Sequence, residues 1–343
     1  MKNFKLYILK YYLKLGLFFY FKKIKVHGLE NLSKDKPVLL LSNHQNALLD
    51  ALLIATTIKG FAHYLTRASV FTKAFVSKLL QSFQLIPVYR IRDGYSNLTS
   101  NNAIFDTAAN LLDNNKAVAI FPEGSHNLAR RVRPLSKGFT RIIFNVLDKD
   151  PDSDLQLVPI GLNFKNATNC PDSAAIYFGK PLEAKAYVSD TKNESIVKIK
   201  KEVHDAISQL TTHIPVAGYN KTISKLEEIQ VDFLNPEVVN RCIASNFEAC
   251  KTKTKLPFHW LHSGFKYLLI LNLLVPYAIW KLIAQPKIKE VEFTATFRFA
   301  IAVTLVPIYL ILIGIVLTSF LSFKLAFLYI VSVLVLTLLA VKL

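Results

Sequence analysis

His44 and Asp50, in the stretch Asn43-His44-Gln45-Asn46-Ala47-Leu48-Leu49-Asp50, are the pair in this chain best suited to move a proton. An imidazole can accept the proton of an attacking hydroxyl near neutral pH. A carboxylate on its other ring nitrogen fixes the tautomer and stabilises the imidazolium that forms. His44 is thus the candidate general base, Asp50 its orienting partner and Asn43 a candidate binding residue. A histidine by itself is more often a hydrogen-bonded structural group than a catalyst, so the reading depends on its company. No Gly-x-Ser-x-Gly stretch occurs, which favours a base acting on a substrate hydroxyl over a serine hydrolase.

Three further blocks follow in order. Leu85-Ile86-Pro87-Val88-Tyr89-Arg90 ends on an arginine after an apolar run, and a fixed guanidinium can grip a phosphate with two hydrogen bonds. Phe121-Pro122-Glu123-Gly124-Ser125-His126 combines a glycine suited to a tight turn with a hydroxyl and backbone N–H groups that can hold an anion. Glu123 has two readings: it accepts from an acceptor hydroxyl, or it ties the block down through a neighbouring basic residue. His126 is a second histidine without an assigned role. The fourth block, Leu157-Val158-Pro159-Ile160-Gly161, shapes the site more than it does chemistry. Arg130, Arg131, Arg133 and Lys137 form a basic cluster that reads equally as a solvated loop or as a lure for anionic groups, and it is left out of the site.

These blocks need strand ends to hold them. Apolar runs predict strands over 38–41, 62–65, 85–88, 117–121, 155–162 and 175–178, and helical patterns fall over 50–57, 73–83, 101–114 and 138–147. Alternation at this spacing implies an α/β domain, a central sheet covered by helices, with ligands at the strand ends. The flanks differ. Residues 1–28 are rich in Lys, Tyr and Phe and read as a basic amphipathic helix at a membrane interface. Residues 29–185 hold the four blocks. Residues 186–255 are polar, with helical periodicity over 195–210 and 223–233, and read as a soluble helical appendage. Residues 256–343 read as a C-terminal membrane region: 299–321 and 325–341 as a transmembrane hairpin, and 267–284 as interfacial or spanning. Basic residues on both sides of 267–284, with Lys342, favour an interfacial segment and a catalytic domain on the cytoplasmic face.

Hydrophobic residues make up 52% of the 343 and the formal net charge is +18, so a membrane and phosphorylated partners fit better than a wholly soluble life. No zinc-finger spacing or RNA-binding aromatic motif supports nucleic acid. Cys170, Cys242 and Cys250 have no CxxC spacing, which predicts neither a disulfide framework nor a zinc site.

The four blocks in this order resemble the PlsC-like glycerolipid acyltransferase family, whose members share NHxxxxD, IPxxR, F/Y-PEG-S/T and VP blocks. The resemblance covers roughly residues 30–185. It implies an α/β acyltransferase domain that moves a fatty acyl group from acyl-CoA or acyl carrier protein to a hydroxyl of glycerol 3-phosphate or 1-acylglycerol 3-phosphate. It also implies that Phe121, Pro122, Glu123 and Gly124 bind the acceptor and that Arg90 meets its phosphate; Ser125 joins the binding set. No resident cofactor or metal is expected, since a thioester is already activated. Five residues, Gln45 to Leu49, separate His44 from Asp50, one more than the usual pattern. On a continuous helix the extra residue would move the angle between the two by about 100°, so the pairing requires that residue to lie in the turn before the helix. The spacing looks similar to that of some yeast glycerol-3-phosphate acyltransferases. Two other classes stay open: a CoA-independent transacylase using the same base, and a non-catalytic lipid-binding scaffold.

Overall fold

The computed structural model describes residues 2–72, 74–89, 100–250 and 259–343. Helix α1 (Lys2–Tyr20) runs straight into β1 (Phe21–His27). Next come β2 (Val38–Ser42), α2 (Ala47–Thr57), β3 (Ala62–Arg67), α3 (Ala74–Ser82), β4 (Leu85–Val88), α4 (Ser100–Asp113), β5 (Ala117–Ile120) and α5 (Gly138–Leu147). Then follow β6 (Gln156–Phe164), β7 (Asp172–Phe178), the short β8 (Leu182–Glu183), α6 (Lys192–Leu210), α7 (Tyr219–Ile229) and α8 (Pro236–Ala244). The chain ends in α9 (His259–Asn272), α10 (Leu274–Ala278), α11 (Thr294–Phe320) and α12 (Phe323–Lys342).

The strands form one mixed sheet in the order β1-β7-β6-β2-β5-β3-β4, with β8 pairing β6. Strand β2 lies at its centre, parallel to β5 and β6, and all five of its residues are buried. A strand covered on both faces needs an unbroken apolar run, and Val38-Leu39-Leu40-Leu41 supplies one. Its alternate side chains feed two cores. Leu39 and Leu41 pack with residues of α4, α5 and α6, whereas Val38 and Leu40 pack with α1, α2 and the first turns of α11. The catalytic candidate at the end of β2 therefore rests on a fully buried central strand.

The structure redraws three sequence boundaries. The helix expected over 1–28 stops at Tyr20, because Phe-Lys-Lys-Ile-Lys-Val-His has a strand's alternation and joins the sheet parallel to β7. The appendage expected over 186–255 begins later: Ile199, Val203 and Ile207 form a stripe at helical spacing that packs α6 into the sheet's core. Among the described residues, α7, α8 and their neighbours have a small core of their own, built on Leu226, Phe233 and Val239. Helix α7 ends at Ile229, short of the expected 233, since Gln230 turns left-handed at φ 59°. The cysteine reading also changes. Cys242 and Cys250 form a disulfide, because the turn after α8 brings their Cα atoms to 4.7 Å.

Among the described residues, two segments, Val291–Phe320 and Phe323–Lys342, are long and apolar enough to cross a membrane. Helix α11, with 27 residues, is about 40 Å long, against the roughly 30 Å hydrocarbon core of a bilayer. It starts at Thr294, ahead of the expected 299, because its first turns pack into the α/β domain. There Ala295 and Phe299 are buried. Arg298 donates from Nε to Tyr20 Oη at 2.9 Å and from one terminal nitrogen to Thr168 O and Asn169 O at 2.9 and 2.8 Å. Gly16 of α1 is where the two helices come closest: a Cβ there would lie 2.6 Å from Val303 Cγ1. After the turn at Leu321 and Ser322, α12 returns to the domain, where Lys342 Nζ donates to Phe18 O and Phe21 O, each at 2.7 Å. Both ends of the hairpin thus meet the α/β domain. The segment expected over 267–284 bends by 99° between Ser263–Asn272 and Leu274–Lys287.

One buried carboxylate makes the fold sensitive to pH. Asp172, at the start of β7, accepts from the Asn166 N–H at 2.8 Å, and burial pushes its pKa up to about 7. A folded value above the unfolded one, near 3.9, means that the native state holds the proton more tightly. The stabilisation is complete below the unfolded value and is lost as pH rises through about 7. Its full size is on the order of 4 kcal/mol. In thermal unfolding, the wild-type midpoint is expected to fall between pH 5 and 8, and Asp172→Asn to flatten that slope. Equal slopes would rule Asp172 out.

Candidate active site

The loop from Asn43 to Asn46 leaves β2 and enters α2 at Ala47, which takes φ 44°. This left-handed step absorbs the extra residue. It leaves Asp50 in the first turn of α2, aimed back at the loop. Asp50 Oδ2 accepts from His44 Nδ1 at 2.8 Å and from the Gln45 and Asn46 N–H groups at 2.8 and 2.7 Å. Two of these donors are the free amides that precede a helix, so the carboxylate organises the turn and the histidine together. Asp50 is wholly buried, and its Oδ1 has no hydrogen-bond partner among the described residues.

With Nδ1–H donating to Asp50, the lone pair of neutral His44 lies on Nε2. The imidazole stacks on Phe121 with ring centres 4.1 Å apart and planes 15° apart, and it meets His126 edge-on at 5.6 Å. Its side chain is 14% exposed, enough to be reached and too little to swing freely. Asn43 holds the loop from the other side. Its amide donates to Leu162 O at 3.0 Å and accepts from Leu162 N–H at 2.8 Å, which extends the β2–β6 pairing. That makes Asn43 a pin for the loop.

The third block turns just after β5. Gly124 sits at φ +74°, where a side chain would be strained. Glu123 Oε2 accepts from Arg133 Nε at 2.6 Å and its Oε1 from the His44 N–H at 3.3 Å. Arg133 also donates to Ser125 Oγ at 2.8 Å and to Ser125 O. Of the two readings of Glu123, the geometry shows the tie through a basic residue. Pro122 O accepts from Ser136 N–H at 2.8 Å, and His44 O from Asn127 N–H at 3.0 Å, so the block and the histidine loop are laced together. Burial raises the pKa of Glu123, and Arg133 opposes the rise. Removing Arg133 strands that carboxylate. Arg133→Met is expected to destabilise the fold by about 3 kcal/mol, with much of the loss recovered in Arg133→Met/Glu123→Gln. Denaturant midpoints of the single and double variants check this, and additive losses would contradict it.

Arg130 is committed to the protein. It donates to Phe164 O and Lys165 O, both at 2.8 Å, and lies 3.7 Å above the Phe233 ring. Burial pushes its pKa down to about 10, so it stays charged. Arg131 lines a polar hollow shared with His44, Gln45, Asn127 and Thr212. Arg90 lies outside the described residues. Its neighbour Tyr89 is held by Asn101, whose side chain accepts from Tyr89 N–H at 2.9 Å and donates to Tyr89 O at 2.8 Å.

The fold brings Asn43, His44, Asp50, Phe121, Pro122, Glu123, Gly124 and Ser125 to one place. It adds residues that the blocks alone do not indicate: Arg133 as the tie, and the entry to α11. Thr296 Oγ1 accepts from the Leu48 N–H at 3.3 Å, and Phe293 meets His126 at 4.5 Å. Arg133 had a signal, its membership of the basic cluster. Thr296 and Phe293 had none, since nearly the whole domain separates them from the first block.

Residues 23–163, from β1 to β6, match the family described as Acyltransferase. Glycerol-3-phosphate O-acyltransferase 1 of Saccharomyces cerevisiae is 25% identical over 169 residues, covering 48% of this chain and 20% of that protein. An uncharacterized acyltransferase of Schizosaccharomyces pombe is 28% identical over 103 residues, covering 29% of this chain and 15% of that one. The matched stretch thus spans a fifth or less of either relative. The crystal structure of the 1-acyl-sn-glycerophosphate acyltransferase PlsC from Thermotoga maritima aligns at a TM-score of 0.45 and 15% identity, covering 61% of this chain and 80% of that one.

Proposed function

We propose that this protein is a membrane-bound acyltransferase that moves a fatty acyl group from acyl-CoA or acyl carrier protein to a hydroxyl of glycerol 3-phosphate or 1-acylglycerol 3-phosphate. The observation that carries the reading is the 2.8 Å contact between His44 Nδ1 and the buried Asp50 carboxylate. His44 Nε2 takes the acceptor hydroxyl's proton as its oxygen attacks the thioester carbonyl. Asp50 holds the imidazolium. When the tetrahedral intermediate collapses, the C–S bond breaks and the leaving thiolate takes the proton from His44, which restores the base. An ester and a free thiol result.

Arg90 is the proposed phosphate ligand. Phe121 holds the base's ring, while Pro122, Glu123, Gly124 and Ser125 form the wall against which the acceptor sits. The spacing of His44 and Asp50, with the name of the Saccharomyces relative, favours glycerol 3-phosphate as the first acceptor. Membrane attachment rests on exposed apolar side chains: Ile308, Ile311, Leu312, Ile315 and Phe320 of α11 face outward, as do Tyr7, Ile8 and Tyr11 of α1. Lys281, Lys287 and Lys289 beside the hairpin's base favour a cytoplasmic catalytic face. The Cys242–Cys250 disulfide favours an oxidising side instead. Protease protection of the domain in sealed vesicles decides between the two.

The test is product identity. Protein in nanodiscs, given acyl-CoA and glycerol 3-phosphate, should yield 1-acylglycerol 3-phosphate by mass spectrometry. No acylated product from either acceptor with either donor would sink the proposal, and transfer from intact phospholipid without a thioester would replace it with transacylation.

A further inference from the structure

His126 closes the third block, and the segment between Lys287 and α11 brings Glu290 and Glu292 up to it. His126 Nε2 lies 3.8 Å from Glu290 Oε2, and one donor atom from each of the three residues falls within 4.8 Å of the others. Around a tetrahedral ion with bonds of about 2.0–2.2 Å, neighbouring donors sit roughly 3.4 Å apart. Closing the triad therefore asks each side chain to shift by on the order of 1 Å, which is small for glutamates at a partly exposed site.

The ion pair between His126 and Glu290 involves one of the two carboxylates. Two carboxylates converge on one imidazole, and like charges this close repel. A protonated His126 would cancel one of the two negative charges, and a neutral one neither. A divalent cation cancels both. An imidazole with two carboxylates suits zinc or manganese, whereas calcium and magnesium prefer oxygen alone.

We infer that His126, Glu290 and Glu292 form a binding site for a divalent transition-metal cation of the zinc or manganese class. It clasps the segment leading into α11 to the third block, one ring away from His44. Glu290 is 164 positions from His126 in the chain, so the ion would cross-link the hairpin's base to the catalytic domain. The inference stands on this geometry and does not depend on the acyl-transfer reading.

Mn2+ is the probe. Full-length protein in nanodiscs is stripped with chelator and titrated with Mn2+, and the fall in the free-ion electron paramagnetic resonance signal counts what is bound. One ion per chain is expected, displaced by Zn2+ and weakened at least tenfold in Glu290→Gln and in Glu292→Gln, with circular dichroism confirming that the variants fold. In the wild type, the bound ion should show nitrogen modulation in its spin-echo spectrum from one imidazole, a readout that needs no variant. Absence of a stoichiometric site, bound Mn2+ without nitrogen modulation, or unchanged affinity in folded Glu292→Gln would each overturn the assignment.

Discussion

His44→Ala is expected to lower the rate of acyl transfer by a factor of about 10²–10⁴, the range that a positioned general base contributes. The loss should fall on kcat with little change in KM, since the imidazole acts on the hydroxyl as it attacks and holds no remote part of the substrate. The variant should fold. Asp50 keeps its bonds from the Gln45 and Asn46 N–H groups, so the turn into α2 stays organised without the imidazole. Steady-state rates of both proteins check the loss in kcat. A variant with wild-type kcat would remove His44 from the chemistry.

Asp50→Asn carries the second large effect, for a different reason. Its carboxylate oxygen takes three hydrogen bonds, one from the base and two from the backbone. An amide oxygen can take over two or three of them but lacks the charge that stabilises the imidazolium, and an amide nitrogen turned to His44 would select the wrong tautomer. The expected fall in kcat is about 10³–10⁴, near that of the histidine variant. Combined with His44→Ala it should cost little more, because the two residues act as one unit. Fold stability should change far less, which thermal unfolding of the purified variant tests. Multiplicative losses in the double variant would mean that Asp50 serves the turn alone.

The central part of the fold was legible because burial leaves a plain mark on sequence. A strand such as 38–41, apolar on both faces, and an amphipathic helix such as 138–147 have periods that tertiary contacts do not override. The first and third blocks were legible as well, their residue types being those that acyl transfer needs at strand ends. Three things were hidden. Strand β1 looked like more of the basic N-terminal helix, since Lys22, Lys23 and Lys25 made its alternation resemble a charged face. Helix α6 looked solvated because only one stripe, Ile199-Val203-Ile207, touches the sheet. The approach of Glu290 to His126 is tertiary, and spacing in the chain does not encode it; that Glu123 takes the tie and that Arg133 supplies it are likewise choices only the fold makes. The inserted residue between His44 and Asp50 shows the limit of counting: Ala47 at φ 44° resolves it by backbone conformation, not by a change in the pair.

The account stands most directly on one assay. Release of free thiol from acyl-CoA is followed with wild-type protein and His44→Ala in nanodiscs, in the presence and absence of glycerol 3-phosphate. The account predicts release that depends on the acceptor and drops by at least 10²-fold in the variant, as loss of a general base requires. Acceptor-dependent release that persists undiminished in a folded His44→Ala protein would contradict it.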